Sequence, residues 1–99
     1  MIDWVWVFHG DGGRFSSAVF SCKEKADAWI VKHGLSGVLT KMPIDQSAYD
    51  WAIAQDVFRP KRADQTTASF IQRFSSASLE HYHYDPASLP GGIENPQSR

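Results

Sequence analysis

The segment His9-Gly10-Asp11-Gly12-Gly13-Arg14 contains the residue types of a ligand-binding loop. Backbone N–H groups of a glycine-rich loop can hold a phosphate, and Arg14 could add a bidentate contact. A P-loop, however, needs the spacing G-x-x-x-x-G-K-[ST] in front of a helix, whereas strand-forming residues follow this loop. The pattern therefore favours a hairpin turn with glycines at positive φ. A ligand loop that includes His9, Asp11 and Arg14 is the alternative.

Two further histidines, His81 and His83, are two positions apart, so a strand would place both on one face. With His9, Glu80 or Asp85 they could supply nitrogen and oxygen ligands to zinc, which needs three or four of them. Since no pair of these residues has the spacing of a known zinc motif, we predict no metal and no cofactor. We instead assign His81 and His83 to the surface of an edge strand. In the alternative interpretation they join His9, Asp11 and Arg14 in the alternative ligand loop.

Cys22 is the single cysteine of the chain and lies at the N-terminus of a predicted helix, a position at which thiols can act as nucleophiles. A partner such as His9, His33 or His81 would complete a catalytic pair. A free cysteine usually packs as a small apolar residue, and the chain is short for an enzyme with its own cleft, so we predict no catalytic residue. A lone cysteine forms no internal disulfide, which fits a reducing cytoplasm.

Aromatic and basic side chains form the other candidate site. The 99 residues include four tryptophans, and Trp and Tyr are enriched at the positions that dominate binding energy in interfaces. Trp51 falls outside the apolar stripe of its predicted helix, and Tyr82 and Tyr84 share one face of a predicted last strand whose edge is free. Two arginines of a polar connector could contact an acidic partner. The predicted partner-binding residues are Trp51, Tyr82, Tyr84, Arg59 and Arg62.

The elements that position these residues follow from the apolar pattern. Trp4–Phe8 is an unbroken aromatic and β-branched run, typical of a strand buried on both faces. Phe15–Phe20 completes a hairpin across a loop of about five or six residues. Ser21-Cys22-Lys23-Glu24 matches a capping box, and helical spacing up to the stop at Gly34 predicts a helix over Cys22–His33. The stripe of this helix is Ala26, Trp29, Ile30 and His33.

Three more elements are predicted in the second half of the chain. Gly37–Met42 is a strand, and Asp45 is the expected N-cap of a second helix. A third helix begins after Thr66 or Thr67, and His81–Tyr84 forms a short last strand. The apolar stripes of the two helices are Tyr49, Ala52 and Ile53, and then Phe70, Ile71, Phe74 and Ala77.

Length and composition limit the chain to one small domain. Hydrophobic residues make up 42% and charged residues 21%, no apolar run reaches the ~18 residues of a membrane span, and a net charge of −1 argues against nucleic acid as a partner. We predict an α+β domain over residues 1–85, with a small, mainly antiparallel sheet and two or three helices packed on one face. A flexible tail follows over 86–99. Trp6 and Trp29 are expected to be almost fully buried.

Five motifs occur in order along the chain. They are Trp-Val-Phe-His-Gly at 6–10, Gly-Gly-Arg-Phe at 12–15, His-Gly-Leu at 33–35, Tyr-Asp-Trp-Ala at 49–52 and Glu-His-Tyr-His-Tyr at 80–84. This pattern resembles a family of short bacterial proteins known as a domain of unknown function. The resemblance implies a bacterial protein and no particular activity.

The sequence thus predicts an interaction module whose partner is another protein and neither nucleic acid nor a membrane. Small bacterial domains of this size include immunity proteins, which bind and block a cognate toxin, and this association by size gives the specific hypothesis. The alternative is a small ligand-binding domain or enzyme that uses the glycine-rich loop and the histidines. The first needs an exposed aromatic patch, and the second needs a pocket where His9, Arg14 and His81 or His83 converge.

Overall fold

The computed structural model describes residues 3–85 and the backbone of residues 93–94. This part of the chain contains one antiparallel sheet, three α-helices and a short 3-10 helix, which confirms the predicted α+β class. The strands are β1 (Trp4–Gly10), β2 (Ala18–Phe20), β3 (Gly37–Pro43), β4 (His81–Tyr84) and β5 (Ile93–Glu94). The helices are α1 (Lys23–His33), α2 (Ala48–Ala54) and α3 (Ala68–Arg73), and the 3-10 helix is Ala63–Thr66. The strand order is β2-β1-β3-β4-β5.

Strand β1 is an inner strand that pairs with β2 on one side and β3 on the other. The hairpin to β2 has a longer loop than predicted, because pairing resumes only where Ser17 N–H donates to Phe8 O, 3.0 Å away. Before that point the chain follows a tight turn in which Gly12 has φ 80. The prediction that the strand begins at Phe15 is therefore wrong, and the Phe15 side chain is 78% exposed.

Helix α1 has the predicted end but a different start. Gly34 takes the left-handed conformation at φ 62 and ends the helix, as predicted. The N-cap is Cys22, which makes no side-chain capping bond. The predicted capping box of Ser21 and Glu24 is wrong, because the helix begins one residue later than such a box requires.

The main core lies between α1 and one face of the sheet. Because side chains alternate along a strand, Trp6 and Phe8 share this face with Leu39 and Tyr84 of the neighbouring strands. Trp6 is 8% exposed, as predicted. Trp29 is only half-buried, so its predicted full burial is wrong. The core residues are Trp6, Phe8, Ala26, Ile30, Leu39 and Tyr84.

A second cluster of apolar side chains forms around α2 and α3. Its centre is Tyr49, whose ring lies 5.8 Å from Phe58 and 5.4 Å from Phe74, while its hydroxyl donates to Gln65 O at 2.8 Å. Buried Leu79, just before β4, lies outside the α1 core as well. Helix α1 therefore packs in the main core, whereas α2 and α3 pack in this second cluster.

Of the N-caps predicted for the two later helices, that of α3 is confirmed and that of α2 is wrong. Ser47, and not Asp45, is the N-cap of α2: its Oγ accepts from Asp50 N at 2.9 Å. Asp45 has φ 64, a left-handed conformation in the turn before the helix, which explains why that prediction is wrong. Thr67 caps α3 as predicted and accepts from Phe70 N at 3.3 Å.

The edge of the sheet beside β4 also differs from the prediction. His83 and Tyr84 pair with residues 94 and 93 of β5, so β4 is neither the last strand nor free along its whole edge. The predicted tail over 86–99 lies outside the described residues apart from these two.

Candidate protein-interaction surface

Five side chains form a connected series of contacts on the core face of the sheet and at its border. We call them the aromatic patch: Trp4, Lys41, Trp51, Glu80 and Tyr82. The register places Lys41 opposite Trp6, and Tyr82 opposite Leu39, so both point to the side of the sheet that carries the core. All five are half-buried. The patch therefore combines large aromatic side chains with charge at a surface that solvent can reach.

Lys41 and Glu80 form the charged centre of the patch. Lys41 Nζ lies 5.2 Å from the centroid of the Trp4 ring and 4.0 Å from Glu80 Oε1. Tyr82 hydroxyl donates to Glu80 Oε2 at 2.5 Å, and Lys23 Nζ of α1 lies 4.5 Å from the Tyr82 ring centroid. Each exposed ion pair or cation–π contact contributes about 1 kcal/mol or less. Together they hold the side chains in defined orientations.

Trp51 comes to the patch from α2. Buried Ala48, Tyr49 and Ala52 turn the other side of this helix inward, so Trp51 lies off the apolar stripe, as the sequence predicts. Its ring makes an edge-to-face contact with Trp4, with centroids 6.3 Å apart and an interplanar angle of 84°. Trp51 is thus fixed by one neighbour and still half-exposed.

Tyr84 is a structural residue and not an exposed anchor, so the exposure predicted for it is wrong. Its side chain is 2% exposed, and its hydroxyl donates to Asp27 of α1. The residue opposite it on β3 is Gly37, which has no side chain, and α1 covers this end of the face. Burial, followed by the bond to Asp27, raises the pKa of the Tyr84 hydroxyl far above its ordinary value of 10.

Alkaline pH is expected to destabilise the fold through Tyr84. Above pH 10 the unfolded chain loses the tyrosine proton while the folded chain keeps it, so the free energy of unfolding falls as pH rises. Tyr82 adds to this between pH 10 and 12, because the hydrogen bond to Glu80 raises its pKa to about 12. Urea unfolding at pH 8, 10 and 11 should show a shallower decline for Tyr84→Phe than for the unsubstituted protein. Equal declines would contradict the buried, neutral role of this hydroxyl.

The two predicted arginines are exposed and locally paired. Arg59 Nε lies 2.6 Å from Asp56 Oδ1, and Arg62 Nε lies 3.0 Å from Asp64 Oδ1. The neighbouring carboxylates balance both positive charges and leave only a weak field to attract an acidic partner. A role for Arg59 and Arg62 in binding stays a prediction.

The histidines of the alternative ligand loop are distributed over one face of the sheet. His9 lies opposite Val38, which in turn lies opposite His83, so a valine separates the two histidines. His9 Nε2 is 2.6 Å from Gly13 O of its own loop. The His81 ring is 5.5 Å from that of His83, and His81 Nδ1 is 2.7 Å from the carbonyl oxygen two residues before it.

The other two residues of that loop lie elsewhere. The Arg14 guanidinium is 5.8 Å from the centroid of the Phe15 ring, and Asp11 lines a cleft beside α1. His81 lines a different cavity, of about 220 Å³, with Val38 and Thr40. Within residues 3–85 no three His, Cys, Asp or Glu side chains are arranged to hold a metal ion.

Three members of the aromatic patch were not predicted from the sequence: Trp4, Lys41 and Glu80. Lys41 offered a signal, since it is the one charged residue of an otherwise apolar and small-residue strand. Trp4 has the same strand parity as Trp6, which also suggested a shared face. The contact of Trp4 with Trp51 depends on the path of the chain between β3 and α2, and no sequence pattern near either residue predicts that path.

Comparison with protein families identifies the chain. The family model described as "Domain of unknown function (DUF7710)" matches residues 5–89. The chain belongs to the DUF7710 family. This confirms the predicted resemblance to a family of unknown function, and the matched region of this DUF7710 domain includes the aromatic patch except Trp4. No curated protein and no solved structure matches the chain. Among the described residues, no helix has the length and apolar character to cross a membrane.

Proposed function

We propose that this DUF7710 domain is a protein-interaction module and that it binds its partner through the aromatic patch. The observation that carries the proposal is the convergence of Trp4, Trp51 and Tyr82 around the ion pair of Lys41 and Glu80. Tryptophan and tyrosine are enriched among the residues that contribute most of the binding energy in protein interfaces, and this surface contains three of them.

The arrangement also lowers the expected cost of binding. Tryptophan and tyrosine have few rotatable bonds, so ordering them in an interface costs little entropy. Here the Trp51 ring is already held against Trp4, and the Tyr82 hydroxyl against Glu80. The Lys41 ammonium and Glu80 carboxylate give the patch a fixed pattern of charge, which favours a partner with the complementary pattern.

The specific form that we propose is a bacterial immunity protein. In this form the partner is a toxin, and the patch binds and blocks it. The small size of the domain and the resemblance of its five motifs to short bacterial proteins support this choice, and the gene next to its own is the place to seek the toxin. Growth of cells that express this toxin, with and without the domain, tests this form: unrelieved growth arrest would refute it while leaving the interaction module open.

Trp51→Ala is expected to weaken binding of that partner by about 2 kcal/mol, or roughly 30-fold in Kd. The loss follows from removal of a large, oriented side chain at the edge of the patch. The measurement is a calorimetric titration of the purified partner with variants that retain the folded circular dichroism spectrum.

Phe15→Ala is the matched control for this experiment. It also removes an aromatic ring, but the ring is 78% exposed and lies beyond the opposite end of β1 from Trp4. The control should bind with unchanged affinity. If Phe15→Ala weakens binding more than Trp51→Ala, the partner binds at the hairpin loop and the proposed surface is wrong.

A further inference from the structure

A cleft of about 750 Å³ lies at the other end of α1, away from the aromatic patch. Its size falls within the range of small-molecule sites in proteins. The loop after β1 forms one side of it, and the last turn of α1 with the following residues forms the other. The residues that line the cleft include Phe8, Asp11, Trp29, His33 and Ser36.

Hydrogen bonds hold the rim of the cleft in place. Asp11 N–H donates to Ser36 O at 2.9 Å and ties the glycine-rich loop to the segment after α1. Leu35 N–H donates to Ile30 O at 3.0 Å and closes the end of the helix. The left-handed Gly34 turns the chain between these two bonds. The cleft is therefore built by backbone bonds and does not depend on a single flexible side chain.

The wall of the cleft is aromatic. Phe8 and Trp29 meet edge to face with centroids 5.7 Å apart, and the Trp29 ring is 5.8 Å from His33. Trp29 belongs to the helix stripe but is only half-buried, and one of its surfaces lines the cleft. A flat or apolar group of a ligand can replace water at this wall.

The charge around the cleft favours a cation. Among the described residues, Asp11 is the only acidic one that lines the cleft, and no described lysine or arginine lines it. Within the described chain no side chain pairs with the Asp11 carboxylate. The C-terminal end of α1 also faces this region and has partial negative charge. Lys32 lies on the same turn of α1 but does not line the cleft.

We propose that this cleft binds a small organic cation with an aromatic body, such as an arylalkylamine. The ammonium group lies toward the Asp11 carboxylate and the end of α1, and the ring packs against Phe8 and Trp29. A charge-assisted hydrogen bond to Asp11 gives the charge preference, and packing of the ligand's ring against Phe8 and Trp29 adds the apolar contact. This activity is separate from binding at the aromatic patch, so either can be absent without the other.

The test uses three probes of the same shape and different charge: phenethylamine, 2-phenylethanol and 3-phenylpropionate. Amide chemical shifts of the labelled domain are followed during titration. Phenethylamine should shift the amides of Asp11, Gly34 and Ser36 saturably, with a Kd at least about tenfold below that of the alcohol, and the carboxylate should bind most weakly. Asp11→Asn should reduce amine affinity to that of the alcohol.

Asp45→Asn is the matched control. It removes one exposed carboxylate outside the cleft, and asparagine tolerates the φ of 64 at this position as well as aspartate does. It should leave the amine preference unchanged. Equal affinity for the three probes, an unchanged preference in Asp11→Asn, or no saturable shift at about 10 mM amine would each overturn the proposal.

Discussion

Gly37→Ala is expected to lower the free energy of unfolding by about 3 kcal/mol or more, a large part of the stability of a domain of this size. A Cβ atom at this position would lie 2.4 Å from His9 O and 2.8 Å from Gly10 Cα. Both are backbone atoms of β1, and they cannot move away without breaking the pairing of β1 with β3. The positive φ of 153 adds further strain for any residue with a side chain.

Gly12→Ala is the control that separates the two causes. Gly12 also has a positive φ, 80, but a Cβ atom there would meet nothing within 4 Å. The substitution should cost about 1 kcal/mol from backbone conformation alone. Urea unfolding monitored by tryptophan fluorescence gives both values. A Gly37→Ala domain as stable as Gly12→Ala would show that the close approach of β1 and β3 is absent in solution.

Phe8→Ala is expected to cost about 3–5 kcal/mol through lost burial and the cavity left behind. Phe8 is 2% exposed and contacts Trp29 of α1 and Tyr84 of β4, at centroid distances of 5.7 Å and 6.4 Å. Phe8, which belongs to β1, therefore connects this strand to both α1 and β4. The cleft beside α1 should also lose the Phe8 part of its aromatic wall, while Trp29 remains.

The same unfolding measurement applied to Phe15→Ala provides the comparison. Phe15 is 78% exposed, so its removal should change the free energy of unfolding by about 0.5 kcal/mol or less. Equal losses for the two phenylalanines would contradict the assignment of the core to the space between α1 and β1.

The elements whose signals are local were predicted from the sequence. The unbroken apolar run Trp4–Phe8 predicts a strand, and β1 contains it. The predicted burial on both faces is wrong, because Val5 and Val7 on the second face are only half-buried. The end of α1 was recognised because Gly34 tolerates the left-handed conformation. Gly37–Met42 and His81–Tyr84 followed from the same strand pattern.

Features that depend on contacts between distant residues were not predicted. Tyr84 is buried because its hydroxyl meets Asp27, 57 positions earlier in the chain, and because Gly37 lies opposite it. The residues next to Tyr84 in the sequence do not predict either contact. Trp29 remains half-exposed because the hairpin loop stops short of covering it and leaves the cleft.

The candidate site was predicted in part. The sequence predicts Trp51 as a binding residue because it lies outside the apolar stripe of α2, and the spacing within one helix is enough to show this. Trp4 and Glu80 are not predicted as members of the patch, because the sequence places Trp4 in a buried strand and offers Glu80 only as a possible zinc ligand. Their roles follow from Lys41, which lies between them in the folded sheet.

The most direct test of the aromatic patch follows the indole N–H signals of the tryptophans in an NMR titration with the proposed toxin partner. The four tryptophans of the chain provide internal comparison within one spectrum. Trp4 and Trp51 should shift saturably and in parallel with calorimetric binding, while Trp29, at the far end of α1, should keep its position. Binding that shifts Trp29 and leaves Trp4 and Trp51 unchanged would contradict the proposed surface.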